Sequence, residues 1–158
     1  MSEITIREAT AADAPALTAL VNSAFKPVEA FFLEHDRITL EQCRAHLEKG
    51  AFLIAEVCDA MAACVYVELR GAKRGYFGML SVDPSRQGGG LAKRLIGEAE
   101  EYCRRAGCMY MDITVVNLRT ELPPFYRKMG YAEDGTTAFP ADVPVKLPLH
   151  LIKMGKML

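Results

Sequence analysis

A chain of 158 residues with a hydrophobic fraction of 51% has the length of one domain and enough apolar side chain for a substantial core, so a single domain over residues 1–158 is expected. The formal charge of −1 excludes the net basic character that nucleic acid or an anionic membrane asks of a main partner, and neither partner is expected. No apolar run approaches the roughly 18 residues that cross a bilayer, and the opening MSEITIREAT lacks the basic and apolar regions of a secretion signal. A cytoplasmic protein is expected.

Along the chain, ITIR at Ile4 to Arg7 alternates apolar and polar residues and predicts a half-buried strand. Thr10 with Asp13 forms a capping-box pattern ahead of Leu17, Leu20, Val21 and Ala24, the stripe of a first helix. Thr39 with Gln42 repeats the pattern before Leu40, Cys43 and Leu47, and Gly50 supplies the stop of a second helix. AFLIAEV and MAACVYVEL are apolar runs of strand length separated by CDA, which predicts a hairpin. GYFGMLSV follows as another strand and is ended by Pro84. In the next helix Leu91, Leu95, Ala99, Tyr102, Cys103 and Ala106 share one face, while Glu100 with Arg104 and Glu101 with Arg105 are placed to pair on the other. Gly107 ends it, and CMYMDITVV reads as a buried strand joined to the earlier one by a parallel crossover. A short helix FYRKM after Pro123 and Pro124 stops at Gly130, and YAEDGTTAF and KLPLHLIKM are two closing strands. The five cysteines, Cys43, Cys58, Cys64, Cys103 and Cys108, include no Cys-x-x-Cys pair and suggest neither a disulfide framework nor a metal site; buried thiols are expected.

The start of the third helix departs from the ordinary. Helices favour a polar cap and acidic residues at the end where unsatisfied N–H groups and the macrodipole are positive. Here three glycines, Gly88, Gly89 and Gly90, precede the helix, no acid occurs from Pro84 to Gly97, and Arg86, Lys93 and Arg94 gather there. Residues without a Cβ let a ligand approach the backbone, and consecutive N–H groups ahead of a helix form an anion-binding nest. A Walker loop needs Gly-Lys-Ser/Thr at its end, and a dinucleotide fingerprint needs Gly where Lys93 stands, so both nucleotide patterns fail.

What remains, Gln87-x-x-Gly90-x-Ala92 preceded by MLSVDP and followed by VVNLRTELPPFYRKMGY, resembles the signature regions of the GNAT superfamily of acyl-CoA-dependent N-acyltransferases. The order of elements agrees with that family over nearly the whole chain. One departure is that the interval from Asn117 to Tyr126 is longer than the family's commonest one, with Pro123 and Pro124 inserted before the helix. The resemblance implies an α/β GNAT-type acyl-CoA N-acyltransferase fold, a mixed central sheet of about six to seven strands flanked by about four helices. It implies acetyl-CoA as co-substrate, its pyrophosphate on the backbone N–H groups of Gln87, Gly88, Gly89, Gly90, Leu91 and Ala92 and its pantetheine arm along the main chain of Leu80 and Val82. Arg86, Lys93 and Arg94 either meet the outer phosphates or are solvated surface, and Asn117 either contacts the pantetheine region or caps the following helix.

The reaction so implied is acetyl transfer to a primary amine by direct attack on the thioester. An alkylammonium of pKa about 10.4 is neutral in roughly one molecule in a thousand at pH 7, so a base or a water chain must take a proton. The carbonyl becomes an oxyanion suited to a backbone N–H, which the resemblance places at Leu80, and the leaving thiolate gains from a hydroxyl donor, placed at Tyr126. The alternative for Tyr126 is a core aromatic. Many family members carry a Glu on the strand before the loop. Here Tyr76 stands near the matching place, and the replacement is Glu68 on the neighbouring strand, either the base or an ordinary strand-end acid. Glu29, Glu34, His35 and Asp36 lie between the first two helices, where the family's acceptor pocket is bordered, and either attract a cationic amine or form a solvated loop; Phe31 and Phe32 there are either core or pocket wall. His150 reads as a sheet histidine. The expected acceptor is a small-molecule amine; a protein N-terminus or lysine, and a non-catalytic acyl-CoA-binding module, stay open, as does a homodimer.

Overall fold

The computed structural model describes residues 3–158. Strand β1 (Ile4–Glu8) is followed by the Thr10 capping box, in which Asp13 Oδ2 accepts from the Thr10 N–H at 2.8 Å while the Arg7 guanidinium grips both Asp13 oxygens at 2.8 and 2.9 Å. The box opens a single 3-10 turn, Ala11–Asp13, and α1 (Ala14–Glu29) continues from it with Leu17, Leu20 and Val21 buried. The second box closes as expected: Thr39 Oγ1 accepts from the Gln42 N–H, Gln42 Oε1 accepts from the Thr39 N–H, and α2 (Leu40–Lys49) runs to Gly50.

Strands β2 (Ala51–Val57) and β3 (Ala60–Leu69) form the predicted hairpin. Its two-residue turn, Cys58–Asp59, has φ of 53° and 61°, the left-handed geometry that matches the twist of a tight hairpin. This turn exposes Cys58, correcting the expectation of five buried thiols; the other four are buried. Then come β4 (Arg74–Val82), α3 (Leu91–Arg105), β5 (Tyr110–Val116), α4 (Leu122–Arg127), β6 (Ala132–Ala138) and β7 (His150–Met157).

The seven strands make one sheet in the order β1-β2-β3-β4-β5-β7-β6, antiparallel except for β4 beside β5. Alternation of side chains divides two cores. Phe52, Ile54, Cys64 and Tyr66 face α1 and α2, while Leu53, Val65, Val67 and Phe77 pack with Leu91, Leu95 and Ala99 of α3 and Tyr126 of α4.

Glu100 was expected on the outer face of α3 beside Arg104. It is buried: its carboxylate accepts from the Tyr131 hydroxyl at 2.7 Å and from Lys156 Nζ at 3.0 Å, with Arg104 at 3.8 Å. Glu101 does take the outer position and pairs with Arg105 at 3.3 Å.

One irregularity positions everything that follows. β4 and β5 pair only at Arg74–Tyr110, Gly75–Met111 and Tyr76–Asp112; beyond Tyr76, β4 follows β3 and β5 follows β7. The β3–β4 register shifts between Cys64 and Tyr66, where Met79 takes a φ of 51°, so β4 bulges just after the strands part. The parted strands leave one side of β4 without a partner.

Candidate active site

At the C-terminal end of β4, Asp83 Oδ1 accepts from the Ser85 N–H and hydroxyl at 2.9 and 2.7 Å and turns the chain into a 3-10 turn, Pro84–Arg86. The chain then passes through Gly88 and Gly90, with φ of 88° and 79°, and α3 begins with no side-chain cap. A Cβ at either glycine would meet no atom within 4 Å, so it is the left-handed backbone rather than crowding that calls for glycine, and the space over the loop is open. Among the described residues the N–H groups of Gln87 through Lys93 have no acceptor, and the first to turn back into the helix is Arg94, bonded to the Gly90 carbonyl at 3.1 Å. A file of unsatisfied N–H groups at a helix start carries partial positive charge and is the element an anion completes. Among the described residues, Arg94 lies 4.0 Å from Glu98 at the limit of an ion pair, while Arg86 and Lys93 enter no ion pair.

From this loop a cleft of about 1400 Å³ runs between the parted strands to the connection between α1 and α2. Leu80, Val82, Gln87, Gly88, Gly90, Leu91, Ala92, Glu68 and Tyr126 line it, and Gly89 does not. Tyr126 sits on the α3 side of the sheet, packed against Phe77, Phe125 and Tyr131, and its hydroxyl has no hydrogen-bond partner among the described residues. Burial pushes that hydroxyl up to about 12, so it holds its proton throughout the neutral range. Asn117 lies off the cleft: its Oδ1 accepts from the His150 N–H at 2.8 Å and its own N–H donates to the His150 carbonyl at 3.0 Å, fastening the end of β5 to β7. It does not cap α4, whose flanking residue is Glu121.

Glu68 is a buried carboxylate rather than a surface acid, flanked by Lys49 Nζ at 3.6 Å and Arg70 Nη2 at 3.4 Å. It stands directly across from Tyr76, whose ring carries the Arg70 guanidinium 3.7 Å from its centroid. Beside Glu68, Tyr66 is buried against the His46 ring at 4.6 Å, and its hydroxyl has no hydrogen-bond partner among the described residues; burial and the Glu68 charge push that hydroxyl up.

The far wall is built by the connections. Glu29, the last residue of α1, is buried and binds Arg119 at 3.0 Å with Arg37 at 3.9 Å; burial raises its carboxyl in spite of both arginines. It is therefore already matched and is not a free attractor for a cationic amine. Phe32 is buried in this wall, whereas Phe31, Glu34, His35 and Asp36 are exposed, and so is His150 at the start of β7. Leu33 bridges to Val145, and Lys146 donates to the Phe32 carbonyl through its N–H and to the Ala30 carbonyl through Nζ, each at 2.8 Å. The α1–α2 connection thus reaches over the cleft to the β6–β7 connection. No pattern in the sequence pointed to Arg119, Lys49 or Arg70, because their partners are matched only by folding.

Among the described residues no group of three His, Cys, Asp or Glu side chains could hold a metal ion, and no helix is long and apolar enough to cross a membrane.

Solved structures share this fold. The chain superposes on the ribosomal-protein-alanine N-acetyltransferase of Brucella melitensis with a TM-score of 0.78 at 24% identity, covering 98% of this chain and 99% of that one. It superposes on yncA of Salmonella typhimurium, solved with acetyl-CoA, with a TM-score of 0.75 at 22% identity, covering 99% and 95%. For the paia N-acetyltransferase of Thermoplasma acidophilum, solved with coenzyme A, the TM-score is 0.81 at 16% identity, covering 99% of each chain. No curated protein sequence matches the chain. Residues 15–131 match the family model described as the acetyltransferase (GNAT) family, and the chain belongs to that family.

Proposed function

We propose that the protein transfers an acetyl group from acetyl-CoA to the primary amine of a small molecule. The observation that carries this reading is the file of N–H groups from Gln87 to Lys93 that have no acceptor among the described residues, opening into a cleft that Tyr126 also lines. The loop fits a diphosphate: its donors are backbone, its glycines leave the approach open, and no carboxylate stands in the first turn of α3. Leu80 and Val82, on the β4 edge that lacks a partner strand, offer main chain to the pantetheine arm as an added strand would.

In this reading the amine nitrogen attacks the thioester carbon, the C–N bond forms, and the carbonyl oxygen takes negative charge beside the Leu80 N–H. The C–S bond breaks as the Tyr126 hydroxyl donates to sulfur. A thiol of pKa about 8.5 is a stronger acid than a buried tyrosine, so sulfur keeps this proton only because the one released by nitrogen, passed on from Glu68 through solvent, restores the Tyr126 phenol. Glu68 is the cleft carboxylate opposite the β4 position that lacks one, and it receives that proton. The connection reaching across the cleft, Leu33 to Val145, favours a slender acceptor over a folded surface.

The test is thiol release from acetyl-CoA with benzylamine, 1,4-diaminobutane and an alanine-initiated peptide, with the products weighed by mass spectrometry. Transfer to a small amine is expected. Transfer to the peptide alone would move the acceptor to a protein terminus, and coenzyme binding without any transfer would make the protein a binding module.

A further inference from the structure

The strand that borders the cleft has a tyrosine near the place where a carboxylate is missing, and the structure shows where its oxygen goes. Tyr76 is the last β4 residue paired with β5, so its side chain stands at the point where the strands part. It leans along β4 over Gly78: a Cβ built on Gly78 would lie 2.6 Å from the Tyr76 Oη, 3.1 Å from Cζ and 3.2 Å from Cε1, and no other residue provides its nearest contacts. Gly78 does not have a left-handed φ, so its missing side chain serves to make room for this hydroxyl. The Arg70 guanidinium, 3.7 Å from the ring centroid and itself held by Glu68 at 3.4 Å, lies over the ring and holds it in place. Among the described residues the hydroxyl has no hydrogen-bond partner, and both Tyr76 and Gly78 line the cleft next to Met79 and Leu80. A half-buried ring fixed by a cation, with its oxygen in a space cleared by a glycine and left unpartnered, is a side chain set to meet a ligand.

We infer that the Tyr76 hydroxyl oxygen accepts a hydrogen bond from the attacking amine and holds its nitrogen beside the thioester carbon, with Arg70 acting as a positioning residue through the ring. This inference rests on the acetyl-transfer reading and adds the group that orients the acceptor; Tyr76 itself gains and loses no proton. Aligning a nucleophile accounts for large rate factors because it replaces a bimolecular encounter, and a displaced anchor loses part of that factor.

The experiment uses the full chain and the fastest acceptor among benzylamine, 1,4-diaminobutane and the alanine-initiated peptide. Tyr76→Phe keeps the ring beneath Arg70 and removes only the oxygen. The expected result is a fall of about tenfold or more in kcat/KM for the amine, with acetyl-CoA affinity within about twofold of wild type. Gly78→Ala, which pushes the oxygen away, should cause a similar fall. Adding it to Tyr76→Phe should cost no more than about a further twofold, since both act through one oxygen. A Tyr76→Phe variant as fast as a wild type that turns over would overturn this inference alone. So would single effects that multiply in the double variant. A wild type that acetylates none of the three amines would overturn the acetyl-transfer reading as well.

Discussion

Arg119 Nη1 lies 3.0 Å from Glu29 Oε2, and this one ion pair joins the loop after β5 to the end of α1 on the wall of the cleft. Both side chains are largely buried, and Arg119 is also held by Glu121 at 3.0 Å. A buried pair contributes little net stability when intact, but removing one partner leaves a charge without compensation. Arg119→Met should therefore cost about 2 kcal/mol, since Arg37 at 3.9 Å compensates the Glu29 charge only in part and cannot replace the lost hydrogen bond, and Glu29→Leu with Arg119→Met should recover more than half of that loss. Urea denaturation of the two variants beside wild type checks this; equal stability of Arg119→Met and wild type would mean that the pair does not tie the wall.

Asp13 gives a pH signature outside the cleft. Hydrogen bonds from the Arg7 guanidinium hold its carboxyl down at about 2. A carboxyl lowered in the native state contributes stability above its unfolded pKa of about 3.9 and loses it as the pH falls through the native value. Arg7 is more than a third exposed, so solvent screening reduces the contribution to about 1 kcal/mol. Asp13→Asn should lose that amount at pH 7 and converge on wild type as the pH is lowered from about 4 to about 2. A difference that is constant over this range would show that the capping geometry, and not the charge, is what Asp13 supplies.

Tyr126→Phe separates a chemical role from a packing one. The phenol oxygen has no hydrogen-bond partner among the described residues, while the ring packs with Phe77, Phe125 and Tyr131. Stability should thus stay within about 0.5 kcal/mol of wild type. If the hydroxyl donates to the departing sulfur, kcat should fall by about a hundredfold at saturating amine, with acetyl-CoA affinity unchanged. An unchanged kcat would leave Tyr126 as core alone.

The buried Glu100 marks the limit of what periodicity conveys. The apolar stripe of α3 was legible because Leu91, Leu95, Ala99 and Cys103 recur at helical spacing, but Glu100 reads as an outward charge and its partners Tyr131 and Lys156 lie on later elements. Glu100→Leu leaves Lys156 without its carboxylate and should destabilise the fold by about 3 kcal/mol while leaving the turnover of the remaining folded protein unchanged, as Glu100 does not line the cleft. Purified variant with a lowered midpoint and wild-type kcat is the expected result; lost kcat in folded protein would contradict it.

The glycine loop was legible for a different reason. Positive φ at Gly88 and Gly90 and an uncapped helix start are local properties, so residue types alone announce them. The parting of β4 from β5 and the bulge at Met79 depend on pairing between distant segments, and no residue in GYFGMLSV signals where that pairing ends. For the same reason Asn117 could be read as a cap or a ligand contact, yet it binds the backbone of His150, thirty-three positions on. Glu68 reads in sequence as either the base or a strand-end acid, and its burial between Lys49 and Arg70 depends on α2 and the turn after β3 bringing those cations to it.

Thermal unfolding with and without acetyl-CoA, for wild type and Gly90→Glu, tests the coenzyme loop most directly. At about 100 times its dissociation constant a ligand stabilises the native state by about 2.7 kcal/mol, which for a chain of this size raises Tm by roughly 5–10 °C. The expected result is that rise in wild type and none in Gly90→Glu, whose added carboxylate would stand at the start of α3, beside the N–H groups proposed to hold the pyrophosphate. No rise in wild type, or an equal rise in a folded Gly90→Glu, would contradict the assignment of Gln87 to Ala92 as the coenzyme site.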